Sequence, residues 1–185
     1  MIREDTAMHE QAIIIQPLTK ESFAAFGDVI ETDQRDSFPI NQGLTQRFHA
    51  LSLTQLQGEN GAVGLSIFHN LQATTLPFNI HLLERHPLGS QSFIPLAQQK
   101  FIIVVALPFN ETAPNEAKIS AFLSNGHQGI TYHQGVWHHP LITLEGDSDF
   151  LVVDRIGSEP NCDIHHLSRP INIIESSTQP EPIKL

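Results

Sequence analysis

The feature that most constrains this chain is that its apolar residues come in short runs, alternating or unbroken, each closed by proline or glycine. Residues spaced by two recur at Leu51 and Leu53, at Leu65 and Ile67, at Phe78, Ile80 and Leu82, at Ile119, Ala121 and Leu123, and at Ile130 and Tyr132. That is the spacing of side chains on one face of a strand. Phe101 to Leu107 and Phe150 to Val153 are unbroken runs rich in branched residues, as expected of strands covered on both faces. The 12 Pro and 11 Gly fall mostly between the runs, for example Pro87 with Gly89, Pro108, Gly126 with Gly129, Gly135 and Gly146, which places turns there. Only Thr19 to Gly27 reads as a helix, with Thr19 as N-cap, Glu21 in the first turn and Gly27 as the stop. The expectation is an all-β sandwich or barrel with one or two short helices.

With 185 residues the chain fits one domain over 1–185. Its core is expected from about residue 13 to about 175, with roughly nine frayed residues at each end. Ten Lys and Arg against 20 Asp and Glu give a net charge of −10, which repels phosphate backbones and anionic lipid, so no nucleic-acid or membrane partner is expected. The longest apolar stretch, Phe101 to Phe109, is too short to cross a bilayer as a helix. Acids near the N-terminus replace the basic and apolar regions of a secretory signal, and Cys162 is the single cysteine, so a cytoplasmic protein is expected. There is no glycine-rich phosphate loop or nucleophile elbow, and His9-Glu10 lacks the second histidine of a helical zinc motif. No nucleotide or organic cofactor is expected.

Two segments concentrate polar residues beside strong strands: Leu83 to Pro95 and Gly129 to Leu141. In a strand Glu84 and His86 share one face and Arg85 takes the other. His138 and His139 must point oppositely. His138 is expected inward, with Trp137 and His139 on the outer face or rim. Any single strand histidine is more often a hydrogen-bonded rim residue than a ligand, and only convergence of the two segments makes these candidates. Other polar residues read as structural. His165 and His166 are expected to be solvated, Cys162 inert, Asp147 and Asp149 turn residues rather than a metal cluster with Asp154, and Lys100 and Arg155 solvated at strand ends.

These two segments, with Pro17 to Glu31 and Ser148 to Arg155, resemble the ureidoglycolate lyase family of allantoin degradation, from about Ile15 to about Ile156. The resemblance implies a cupin-type double-stranded β-helix, or jelly-roll barrel, that splits ureidoglycolate into glyoxylate and urea as a homodimer. Metal-binding cupins carry His-x-His with Glu five residues on, and then Gly-x-x-His. Here the first motif reads Glu84-x-His86 with Gln91, and the second Gly135-Val-Trp-His138. Two of the four positions differ. The set Glu84, His86, Gln91 and His138 therefore leaves both a divalent ion (nickel, manganese or zinc) and purely acid–base chemistry open.

Elimination of urea needs a base, an acid and a group that holds the substrate carboxylate. His86, His138, His133 and Glu84 are the catalytic candidates, and Arg85, Ser90, Gln91, Ser92 and Tyr132 the substrate-binding ones. The alternatives are a cupin that binds a small carboxylate or ureide without catalysis, and an amidohydrolase that releases ammonia from the ureido group.

Overall fold

The computed structural model describes residues 11–176. The chain begins with β1 (Ala12–Ile14), β2 (Gln16–Pro17), the helix α1 (Lys20–Phe23), β3 (Gly27–Ile30), β4 (Phe38–Ile40), β5 (Thr45–Arg47), β6 (Ala62–Asn70) and β7 (Phe78–Arg85). It continues with β8 (Gln91–Pro95), β9 (Phe101–Pro108), β10 (Pro114–Leu123), β11 (Gly129–Tyr132), β12 (Trp137–His138), β13 (Ile142–Thr143), β14 (Ser148–Ile156) and β15 (Asp163–Ile174). A larger sheet has the order β1-β15-β7-β12-β9-β10-β2, with β13 beside β9, and a smaller one the order β3-β11-β8-β14-β6. The pairings are antiparallel except β1 with β15 and β10 with β2. The expected all-β architecture of cupin type holds. Strand makes up 52 % and helix 4 % of the described residues. The two chain ends expected to fray and His9-Glu10 lie outside the described residues.

The larger sheet curls until its edges meet. The Gln11 side chain, at the start of β1, donates to the Glu116 carbonyl of β10, and His165 and Ser168 of β15 both bond the Glu116 carboxylate. The curl gives β9 two cores. Phe101, Ile103 and Val105 face the smaller sheet and pack with Phe93, Ile130, Tyr132, Phe150 and Val152. Ile102, Val104 and Ala106 face the inside of the curl with Ile80, Leu83, Trp137, Ile171 and Ile173. The unbroken apolar run read from the sequence is thus covered on both faces.

Several local expectations change. The helix is one turn, capped reciprocally by Thr19 and Ser22, and Gly27 does not stop it but opens β3. A Cβ at Gly27 would lie 1.8 Å from the Thr131 carbonyl oxygen, so the close approach of β3 to β11 requires glycine. Leu51 and Leu53 lie in an irregular segment and not in a strand. Leu65 and Ile67 are in β6 but on its outer face, 73 % and 55 % exposed. In β14, Phe150 and Val152 are buried while Leu151 and Val153 are only half-buried, so this run is covered on one face. Pairing of β14 with β6 and β8 sets Leu151 beside Ile67 and Ile94, and Val153 beside Leu65. The outer face of the smaller sheet therefore carries an apolar patch across β6, β14 and β8. Trp137, expected at the rim, is 1 % exposed, because the curl encloses a second core. His165 is likewise not free but bonded to Glu116, 2.8 Å away.

Two cores about one strand lead to a direct test. In a strand with one wet face, one of two successive residues tolerates truncation. Here Ile102→Ala and Ile103→Ala should each cost about 2–5 kcal/mol in urea unfolding. A cost under about 1 kcal/mol at either position would contradict burial on both faces.

Candidate active site

The two polar segments are places where the chain changes sheets. After Glu84 and Arg85 end β7 in the larger sheet, the chain turns through His86 to Ser90 and enters β8 of the smaller sheet at Gln91. After Tyr132 ends β11 in the smaller sheet, a turn through His133 to Val136 delivers Trp137 and His138 into β12 of the larger. The two-residue β12 sits between β7 and β9, with His138 opposite both Glu84 and Val105. The connection from β14 to β15 is a third such change, and it lies against the first: the Asn161 side chain accepts from the Leu88 N–H at 2.7 Å. Three corners thus meet, and their inward side chains converge.

One oxygen of Glu84 and one ring nitrogen each of His86 and His138 lie within 4.8 Å of one another. The His86 and His138 ring centroids are 5.2 Å apart, and the Tyr132 ring stacks on His138 at 4.1 Å. Tyr132 and His138 are buried, whereas Glu84 and His86 are half-buried. The buried rings therefore floor the site and the carboxylate and His86 wall it. Burial, reinforced by the Glu84 charge, raises the Tyr132 pKa and keeps its phenol protonated. His138 is pushed down to about 3 by burial and then by His86, against the opposing effect of its bond to the Val136 carbonyl.

Hydrogen-bond partners determine where the protons are. His86 Nδ1 lies 2.6 Å from the Asn161 carbonyl oxygen and His138 Nδ1 2.9 Å from that of Val136. A carbonyl only accepts, so each Nδ1 carries the hydrogen and, in the neutral ring, each Nε2 is a bare lone pair. Gln91 donates its amide nitrogen to the Asp154 carboxylate at 3.1 Å, which turns its oxygen toward His86 Nε2 at 3.2 Å. In the neutral ring that nitrogen offers its lone pair to a cation beside the Gln91 oxygen, and in the imidazolium it donates to that oxygen. His138 Nε2 is buried without a hydrogen-bond partner and lies 3.6 Å from Glu84.

Four acceptors thus face one region, and the arginines next in sequence to Glu84 and Asp154 are engaged elsewhere. Arg85 pairs with Asp163 and lies over Trp137, and Arg155 pairs with Glu159. Two imidazoles, a carboxylate and an amide oxygen are donors that a divalent transition metal accepts. Each imidazole is also oriented through its other nitrogen by a backbone carbonyl, as metal-ligating histidines commonly are. The residues fit a metal ion.

Comparison with known proteins identifies the family. Residues 10–174 match the ureidoglycolate lyase family. The chain belongs to that family. It is 55 % identical over 157 residues to the ureidoglycolate lyase of Pseudomonas syringae pv. syringae, covering 84 % of this chain and 90 % of that one. The ureidoglycolate lyase of Pseudomonas fluorescens is 52 % identical over 165 residues, 89 % of this chain and 96 % of the relative. One from Pseudomonas putida strain GB-1 is 52 % identical over 158 residues, 85 % and 93 % respectively. The family match includes β15, beyond the stretch where the sequence alone showed likeness.

Of the candidate residues in this ureidoglycolate lyase family member, Glu84, His86, Gln91, His138 and Tyr132 come together. The others do not. His133 turns to Asp28 at 3.3 Å, because it follows the inward Tyr132 and so points outward. Arg85 faces the second core. Ser90 bonds the backbone of Gln55, and Ser92 bonds Thr131 on the outer side of β8. Sequence reasoning missed Asp154 and Asn161. Asp154 continues the inward alternation of Phe150 and Val152, a signal available in the sequence, whereas Asn161 acts largely through its backbone and has none. Cys162 adds a weak bond from its thiol to Glu84 at 3.8 Å; partial burial, then Glu84, raises its pKa, in keeping with an inert thiol.

The depressed His138 pKa predicts a pH effect on chelator-treated protein. The unfolded chain takes up this proton near pH 6.5 and the folded chain only near 3. Stability from the neutral buried ring is therefore complete above about 6.5 and lost as pH falls toward 3, by up to about 1.4 kcal/mol per unit. His138→Phe removes that loss, so in urea unfolding the variant should gain on the wild type between pH 7 and pH 5. Parallel curves would mean that His138 titrates in the folded state.

Proposed function

We propose that the protein is a carbon–nitrogen lyase of allantoin degradation that cleaves ureidoglycolate into glyoxylate and urea. The observation that carries the reading is the convergence of Glu84, His86, Gln91 and His138, as bare acceptors beside the protonated Tyr132, in a chain of this family. The reaction removes a proton from the substrate hydroxyl, forms the carbonyl of glyoxylate, breaks the bond to nitrogen and places a proton on that nitrogen. No water is consumed. The serines of the first corner are turned away and the Cys162 thiol is held protonated, which disfavours a covalent hydrolytic route through either.

Glu84, the half-buried carboxylate of the group, takes the hydroxyl proton and returns it to the leaving nitrogen. His138 is neutral at physiological pH and offers a lone pair, not a proton. Tyr132, whose phenol stays protonated, offers a hydrogen bond to the substrate. His86, His138, Gln91 and Glu84 would hold a divalent ion, nickel, manganese or zinc. Bound there, such an ion would neutralise the substrate carboxylate and acidify the adjacent hydroxyl.

The enzyme acts as one cupin-like domain and, in this reading, as a cytoplasmic homodimer. No helix among the described residues is long and apolar enough to cross a membrane. The apolar outer face that carries Leu65, Ile67, Leu151 and Val153 supports pairing with a second copy.

The decisive assay incubates the purified protein with racemic ureidoglycolate and measures urea, glyoxylate and ammonia together, after light scattering has shown a dimer. Urea and glyoxylate should appear in equal amounts without ammonia. His86→Ala and His138→Ala should each lower kcat/KM by on the order of a hundredfold or more and lose bound metal. Stoichiometric ammonia, or full activity in both variants, would contradict the reading.

A further inference from the structure

We infer that Arg155 is a positioning residue for the site, holding the segment 55–61 as a clamp on the backbone from which His86 and Gln91 project. Arg155 and Asp154 are neighbours on β14 and point to opposite faces. Asp154 reaches inward to the Gln91 amide, whereas the Arg155 guanidinium reaches outward and is nevertheless buried, its side chain only 1 % exposed. A solvated strand-end arginine would do neither of the things observed there. Its Nε donates to the Gln57 carbonyl at 2.8 Å and its Nη2 pairs with Glu159.

The surroundings are cut to this side chain. A Cβ at Gly61 would lie 2.8 Å from the Arg155 Nε, and one at Gly157 would lie 2.8 Å from its Nη1. Glycine at those places lets two backbone segments close on the guanidinium, which a buried cation requires if its hydrogens are to be met.

What Arg155 holds is not a free loop. Residues 55–57 pair with the first corner: Gln57 N–H donates to the Leu88 carbonyl at 2.8 Å, Ser90 N–H to the Gln55 carbonyl at 3.0 Å, and Gln55 N–H to the Ser90 hydroxyl at 2.8 Å. The Gln55 side chain then accepts from Gln134 N–H at 2.7 Å, and the Gln134 side chain donates to the Pro87 carbonyl at 2.6 Å. Gly135 N–H reaches the His86 carbonyl at 3.0 Å. The clamp therefore ties the corner that carries His86 and Gln91 to the corner that delivers His138. Arg155 anchors it to β14, the strand that also orients Gln91.

The test compares Arg155→Met, Arg155→Lys and Glu159→Gln with wild type by amide hydrogen exchange and by kcat and KM for ureidoglycolate. Only the kinetic arm rests on the proposed activity. If the wild type has no lyase activity, that activity fails while the exchange arm still decides the role of Arg155. In Arg155→Met, amides of both 55–61 and 86–91 should exchange about tenfold faster or more. Its kcat should fall by on the order of ten- to a hundredfold at nearly unchanged KM, with partial recovery in Arg155→Lys. Glu159→Gln keeps the guanidinium and its bond to Gln57, so it remains readable if Arg155→Met does not fold. It should loosen both segments by about threefold. Faster exchange confined to 55–61, or a lowered Tm with kcat unchanged per folded molecule, would overturn the assignment.

Discussion

The site depends on one fixed contact, the approach of His86 Nε2 and Gln91 Oε1 at 3.2 Å. The Asn161 carbonyl orients His86 from behind and Asp154 orients Gln91, so both present these atoms to the same region. Glu84 and the bare Nε2 of His138 add two more acceptors without a neutralising side chain. Inside a protein, where the effective dielectric is low, such a concentration of lone pairs strongly attracts a cation. The buried Nε2 of His138 runs against the rule that buried polar groups are satisfied, and proteins keep such violations at functional sites. A body in which β9 is sealed on both faces gives the three corners a rigid base from which to maintain it.

The fold was legible in the sequence because its main signal, period-two runs closed by Pro and Gly, reflects local chain physics. The central position of β9 was visible for the same reason. Trp137 was misplaced because alternation predicts two faces of a strand but not that the sheet will curl and enclose the second one. Leu65 and Ile67 showed the right period on the wrong face, since apolar residues that face outward in one chain look the same as core residues in a sequence. At the site, same-face spacing placed Glu84 with His86, and the opposed directions of adjacent residues placed His138 inward. The same rule carries His133 and Arg85 away from the site. Asn161 contributes a backbone carbonyl, which no residue-type pattern records, and the burial of Arg155 is invisible in the sequence because it depends on distant glycines closing around the side chain.

The chemistry follows from topology. Each polar segment is long because it must leave one sheet and enter the other, and each such crossing puts side chains from both sheets at one end of the core between them. A lyase that consumes no water needs little more than this: a lone-pair cluster to manage charge, a carboxylate to carry a proton and a phenol that stays protonated. In the proposed reading the site combines these on strand ends and, at His86, on the residue that follows one, which favours accurate positioning.

The central claim, that His86 and His138 present their Nε2 atoms jointly to one metal ion, is tested most directly by nitrogen-15 NMR of histidine-labelled, chelator-treated protein during titration with zinc. Both Nε2 resonances should shift together and saturate at one equivalent, with both rings keeping hydrogen on Nδ1 and the other histidines unmoved at that point. Saturation at other histidines first, or movement of His86 or His138 alone, would contradict it.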